Sequence, residues 1–136
     1  MFDAISTAGT GINVMQTWID ALGNNIANIN DVSPTSGPAF QASFVQAQAL
    51  PTGADGLGGG VKVTALPLGS ANGRLAYEPE NPIADAQGYV RHPDIDLSQQ
   101  MGDLIMAQRA YQANASVVNR AKDMYDAGIA IGKGMQ

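Results

Sequence analysis

Residues 3–29 read DAISTAGTGINVMQTWIDALGNNIANI, and their spacing decides the fold class. Ile5, Ile12, Ile19 and Ile26 recur every seven residues. Ala8, Met15, Leu22 and Ile29 recur three places further on. Apolar residues at two positions of a heptad, sustained over nearly four repeats, predict one narrow apolar seam along an α-helix. At 1.5 Å per residue that helix is about 40 Å long. Asp3 serves as its N-cap or first-turn acid. Propensity opposes the pattern: Gly9, Gly11 and Gly23 lie inside it, each costing about 1 kcal/mol relative to Ala. Thr7, Thr10, Asn13, Asn24 and Asn25 add smaller penalties, because their side chains compete for backbone hydrogen bonds. Alone in water such a helix is largely unfolded, so a partner seam has to hold it.

The far end of the chain carries a second grid. Leu97, Leu104, Tyr111, Val118 and Tyr125 recur every seven residues; Met101, Ala115 and Ile129 stand four further on, interrupted by Gln108 and Lys122. Asp96 followed by Gln99 reads as a capping box. The spacing predicts a helix from Leu97 to about Ile131, ended by Gly132 and Gly134 and weakened by Gly102 and Gly128.

Between the grids lies a Gly- and Pro-rich stretch. Ser33–Pro38 reads as a loop, since Pro34 and Pro38 oppose helix. Phe40–Leu50, Val61–Leu66, Arg74–Tyr77 and Gly88–His92 read as strands, with Pro51–Gly60 and Glu78–Gln87 as loops. Asn72-Gly73 reads as a hairpin turn ahead of Arg74–Tyr77. The predicted fold is mainly α with a small β insert, its long terminal helices pairing as a coiled coil. The segments are an N-terminal helix at 1–32, an insert at 33–93 and a C-terminal helix at 94–136, the two helical segments forming one domain.

Composition limits the function. The 136 residues include 45% apolar and only 14% charged side chains. The charged share is well below the roughly 25% usual in soluble domains, which suits a surface that neighbours will cover. The net charge is −5 and the first basic residue is Lys62. A nucleic-acid binder needs a basic stripe, an interfacial helix needs Lys and Arg on its polar face, and a cleavable signal peptide needs an early positive segment. The sequence has no basic stripe and no early positive segment, its first helix has no basic residue at all, and no run approaches the roughly 18 apolar residues that span a membrane. With no cysteine, disulfides and thiolate chemistry are excluded.

No catalytic constellation emerges either. Gly53–Gly60 is glycine-rich, but a phosphate cradle needs a helix N-terminus after it, and a strand pattern follows instead. His92, the only histidine, is separated from Asp94 by Pro93 and reads as a surface side chain with nothing else converging on it. Glu78, Glu80 and Asp85 match no calcium-loop spacing and read as a solvated acidic loop.

Particular motifs narrow the field. Thr10-Gly11-Ile12, followed by Gly23-Asn24-Asn25-Ile26-Ala27-Asn28, resembles the N-terminal signature of the flagellar axial family, which contains rod, hook and hook-associated subunits. Met106-Ala107-Gln108-Arg109-Ala110-Tyr111-Gln112-Ala113-Asn114 resembles its C-terminal signature. Ser36-Gly37-Pro38-Ala39-Phe40, Tyr77-Glu78-Pro79-Glu80-Asn81-Pro82 and Ala84-Asp85-Ala86-Gln87-Gly88-Tyr89-Val90 resemble the short proximal-rod members, as does the chain length. The departures are Asp31-Val32 where a threonine pair is usual, Gln41-Ala42 where basic residues are frequent, and Asp94-Ile95-Asp96 for Asn-Val-Asn.

The resemblance implies a structural rod subunit, not an enzyme. Such a subunit passes unfolded through the flagellar type III export apparatus without a cleaved signal. It then assembles helically in the periplasm, its terminal helices around a central channel, as drive shaft and channel wall for motility. The implied partners are copies of itself, other rod proteins, the rod-to-ring adaptor and the export apparatus. No cofactor, metal, nucleic acid or small-molecule substrate is implied. Asn24, Asn25, Asn28, Arg109, Tyr111 and Asn114 carry the family motifs. Ile5, Ile12, Met15, Ile19, Leu22, Ile26, Leu97, Met101, Leu104, Tyr111, Val118 and Tyr125 are the expected contact residues of the helix seams. The alternatives are the second short proximal-rod subunit or, outside the family, a soluble coiled-coil adaptor.

Overall fold

The computed structural model describes residues 2–51 and 58–134. Two helices, α1 (Phe2–Ala27) and α2 (Leu97–Gly134), frame five short strands. The helices hold 26 and 38 residues, close to half the chain. α1 stops two residues short of Ile29, where the ladder tightens: the Ile29 N–H bonds Ile26 O and the Asp31 N–H bonds Asn28 O. Asn28 holds the last turn, its Nδ2 donating to Asn24 O at 2.8 Å and Asn24 Oδ1 at 3.0 Å. α2 starts where its cap predicts. Asp96 Oδ1 accepts the Gln99 N–H at 2.9 Å and Asp96 O accepts the Gln100 N–H at 3.0 Å. It runs on to Gly134, past the expected end at Ile131.

The helices pack antiparallel. Asn25 touches Gln100 near one end of the pair, and Gly11 lies against Asn114 further along. Carrying that offset onward sets the start of α1 opposite about residue 123, so roughly eleven residues of α2, ~16 Å, project past it. Burial agrees, since every described residue from 122 onward is exposed.

Two small sheets fill the insert. β1 (Ser33–Pro34), β5 (Tyr89–His92) and β4 (Arg74–Tyr77) form one antiparallel sheet in the order β1-β5-β4. β2 (Gln46–Ala49) and β3 (Val61–Ala65) form the other. Val90, with 0% exposure, is the centre of the insert core, with Ala39, Ala42 and Ile95 also buried. On the opposite face Tyr77 and Tyr89 stand directly across the ladder, rings 5.3 Å apart and edge to face.

Three expectations are corrected here. Asn72-Gly73 makes a turn, with Gly73 at φ +57°, but not a hairpin into β4, whose partner is β5. Ser33-Pro34, expected as loop, pairs with Arg91 and Val90; Pro is tolerated because β1 is an edge strand. Only Gln46–Ala49 of the long Phe40–Leu50 stretch is strand. The glycine-rich loop at 53–60 lies mostly outside the described residues.

The accessible surface is 8873 Å². A compact monomer of this mass exposes about 6,700 Å². The excess, roughly 2,000 Å², reflects the projecting helix and thin insert and leaves much of the apolar surface open.

Candidate interaction surface

The buried face of α1 mixes small residues with larger ones. Ala8, Gly11, Val14, Ala21, Leu22 and Asn25 are its buried positions. The matching line on α2 is Gln100, Ala107, Asn114 and Ala121, seven residues apart; three are buried and Asn114 is half-buried. Small side chains let the backbones approach closely. A Cβ added to Gly11 would lie 2.8 Å from Asn114 Nδ2, and Ala107 is 0% exposed.

The apolar grids partly overlap this face. On α1, Ala8 and Leu22 are buried on it, whereas Ile5, Ile12, Met15, Ile19 and Ile26 are half-buried beside it. On α2, Leu104 and Val118 are half-buried, whereas Leu97, Met101, Tyr111 and Tyr125 are exposed. Tyr111 keeps 37% of its surface and Met124 65%. Ile105, Met106, Val117, Ile129 and Ile131 are exposed large apolar side chains of the same helix. At about 100° per residue Met101 and Ile105 fall on one side of α2 and Met106, Val117, Met124 and Ile131 on another, so apolar side chains are open on more than one side of the helix. Of the motif residues, Asn25 and Asn114 sit at the helix–helix face, Asn24 and Asn28 form the last turn of α1, and Arg109 is exposed.

Asn25 is 1% exposed and fully engaged. Its Nδ2 donates to Gln100 Oε1 at 2.9 Å and to Ser43 O at 3.0 Å, while its Oδ1 accepts the Ser43 N–H at 2.8 Å. One side chain thus joins α1, α2 and the insert.

The β2–β3 hairpin lies on α1 through threonines. Thr10 Oγ1 accepts the Val61 N–H at 3.0 Å and donates to Thr7 O at 2.7 Å. Thr7 Oγ1 donates to Gly58 O at 3.2 Å. Gly60, at φ +91°, sits so near that a Cβ there would be 2.3 Å from Thr10 Oγ1. Residues that weaken the helix by propensity are therefore the ones that dock the hairpin.

The loop between β4 and β5 corrects two readings. His92 is not alone: its Nε2 lies 2.7 Å from Glu78 Oε1. Nor is the acidic loop simply solvated. Hydrogen bonds from Asn81 and then His92 hold the Glu78 carboxyl below its ordinary value. The Tyr89 N–H does the same for Asp85, helped by Thr35 Oγ1 and the Gln87 N–H. Both carboxylates act as loop ties; Glu80 is exposed. Among the described residues no group of three or more His, Asp or Glu side chains could hold a metal ion, and no helix is long and apolar enough to cross a membrane.

What the geometry presents, then, is an extended apolar helical surface. Comparison with known proteins gives the family. Residues 86–131 match the family model for the C-terminal region of the flagellar basal body rod FlgEFG proteins. The flagellar basal-body rod protein FlgC of Borreliella burgdorferi is 33% identical over 98% of this chain and 99% of its own length. The protein of that name from Salmonella typhimurium is 35% identical over 91% of this chain and 92% of its own. The Bacillus subtilis one is 26% identical over 97% and 98%. The chain belongs to the FlgC family of flagellar basal-body rod proteins and is a structural subunit of the rod.

Proposed function

We propose that this rod subunit polymerises helically through α1 and α2, the two helices pairing as a coiled coil and packing against those of neighbouring copies to wall a central channel. The segments 1–32 and 94–136 form the assembling domain, and 33–93 is its insert. The observation that carries the proposal is the set of exposed apolar side chains on α2, continued on the roughly eleven residues that project beyond α1. Obligate interfaces bury about 2,000–5,000 Å² in total, and the excess surface of this chain reaches the lower end of that range. The Ile line of α1 and the Leu97–Tyr125 line of α2 flank the intrachain face on the sides open to neighbours.

The site of assembly is the periplasmic part of the basal body, reached through the flagellar type III export apparatus without a cleaved signal. Copies of the chain, other rod proteins and the rod-to-ring adaptor are the partners. No catalysis, cofactor, nucleic acid or small-molecule substrate is assigned, since the one His–Glu pair and Asp85 serve as loop ties. The assembled shaft transmits torque through packing.

The test is Met124→Asp. Met124 lies at the start of the projecting end and is 65% exposed, so the monomer should keep its circular dichroism. A buried unpaired carboxylate in the polymer costs several kcal/mol at every copy. Motility and basal-body content should therefore be lost. Normal swimming and normal rods in this variant would refute assembly through this face.

A further inference from the structure

We propose that Asn25 is a register lock: it fixes how far α1 is slid along α2 and, by the same amide, ties the insert to that one setting. Three observations carry this. First, the α2 line repeats: Gln100, Ala107, Asn114 and Ala121 stand seven residues apart, so a setting one heptad away keeps this line against α1 and only the side chains that meet decide between the two, Asn114 leaving Gly11 for Trp18 as Asn25 leaves Gln100 for Ala107. Second, Asn25 is 1% exposed and uses both amide protons and its oxygen. In the native setting it meets Gln100 Oε1. Slid by one heptad it would face Ala107, and one buried N–H would have no acceptor. The penalty for an orphaned buried donor corresponds to roughly ten- to hundredfold in favour of the native register. A single buried polar residue on a helical interface is the best-attested way to specify register.

Third, the amide bonds both the N–H and the C=O of Ser43, as a neighbouring strand would. Ser43 in turn bridges Leu68, and the Gly69 N–H bonds Ala42 O, so the body of the insert follows Ser43. Register and insert docking are therefore set by one group. The lock acts within one chain and does not depend on polymerisation; if the chain polymerises as proposed, it also fixes where each insert sits along the shaft.

The chain has no cysteine, so engineered thiol pairs report register cleanly. Ala8 and Val117 line one groove between the helices. In the purified full chain, oxidised under mild conditions, the pair Ala8→Cys/Val117→Cys should close in high yield. The slipped pairs Ala8→Cys/Ala110→Cys and Ala8→Cys/Met124→Cys should close at least tenfold less. Adding Asn25→Leu should raise the yield of the slipped pairs at least tenfold while helical circular dichroism persists. Should Asn25→Leu lose that signal, Gln100→Met decides by the same three pairs. It removes one acceptor and leaves both Asn25–Ser43 bonds in place. Continued closure of the native pair alone, in Asn25→Leu or in Gln100→Met, would overturn the proposal, whatever the effect on motility.

Discussion

Two glycines illustrate how the same substitution takes opposite signs in this fold. Gly9 lies inside α1, and a Cβ added there meets nothing within 4 Å. Gly9→Ala should stabilise the chain by about 1 kcal/mol, the difference in helix propensity. Gly60 has φ +91°, and its added Cβ would lie 2.3 Å from Thr10 Oγ1 and 3.1 Å from Thr10 Cγ2. Thr10 cannot swing aside freely, because its hydroxyl holds the Val61 N–H and bonds Thr7 O. Left-handed backbone costs an L-residue roughly 1–2 kcal/mol. Losing one or two hydrogen bonds adds about 0.5–1.5 kcal/mol each. Gly60→Ala should thus destabilise by about 2–4 kcal/mol. Urea or thermal unfolding of the two variants measures the difference; at about 3–5 °C per kcal/mol for a chain of this size, the melting points should differ by roughly 9–25 °C. Similar shifts, or a neutral Gly60→Ala, would refute the docking of the hairpin through Thr10.

Acid should loosen the insert. Glu78 and Asp85 are both held below their ordinary values, so the unfolded chain binds more protons as the pH drops. The stability they confer is complete above the ordinary carboxylate range and is lost as pH falls through their lowered folded values. The fall in urea midpoint from about pH 7 to about pH 3 should shrink in Glu78→Gln/Asp85→Asn; an undiminished fall would contradict the loop-tie role. Asp96→Ala removes the cap of α2 and should cost about 1 kcal/mol, read as a lower urea midpoint with unchanged slope. Val90→Ala leaves a void at the fully buried centre of the insert and should cost roughly 2 kcal/mol by the same measurement.

Both helices were legible in the sequence because heptad spacing is local: Ile5 to Ile26 and Leu97 to Tyr125 need no knowledge of the rest of the chain. The Asp96 cap was legible for the same reason. Which face meets which was not. The inner lines consist of Gly11, Ala107, Asn114 and Gln100, residues an apolar pattern passes over, and their fit depends on a partner 75 to 103 positions away. A search for small and amide residues at seven-residue spacing would have found the α2 line. Thr7 and Thr10 counted against the helix because propensity ignores tertiary partners; here those hydroxyls hold Gly58 and Val61. The turn at Asn72-Gly73 was visible, yet the ladder joins β4 to β5 across an intervening loop, and β1 joins β5 from far away in sequence. The Glu78–His92 pair spans 14 residues and two strands' ends, so nothing local signals it.

The most direct test of assembly through α2 is the reactivity of a single thiol in the projecting end of that helix. Met124 is 65% exposed and the chain has no cysteine of its own. In Met124→Cys the thiol should react rapidly with maleimide in the purified monomer and be protected at least tenfold in isolated basal bodies, where neighbouring helices cover it. Equal reactivity in the monomer and in intact rods would contradict burial of this face in the shaft.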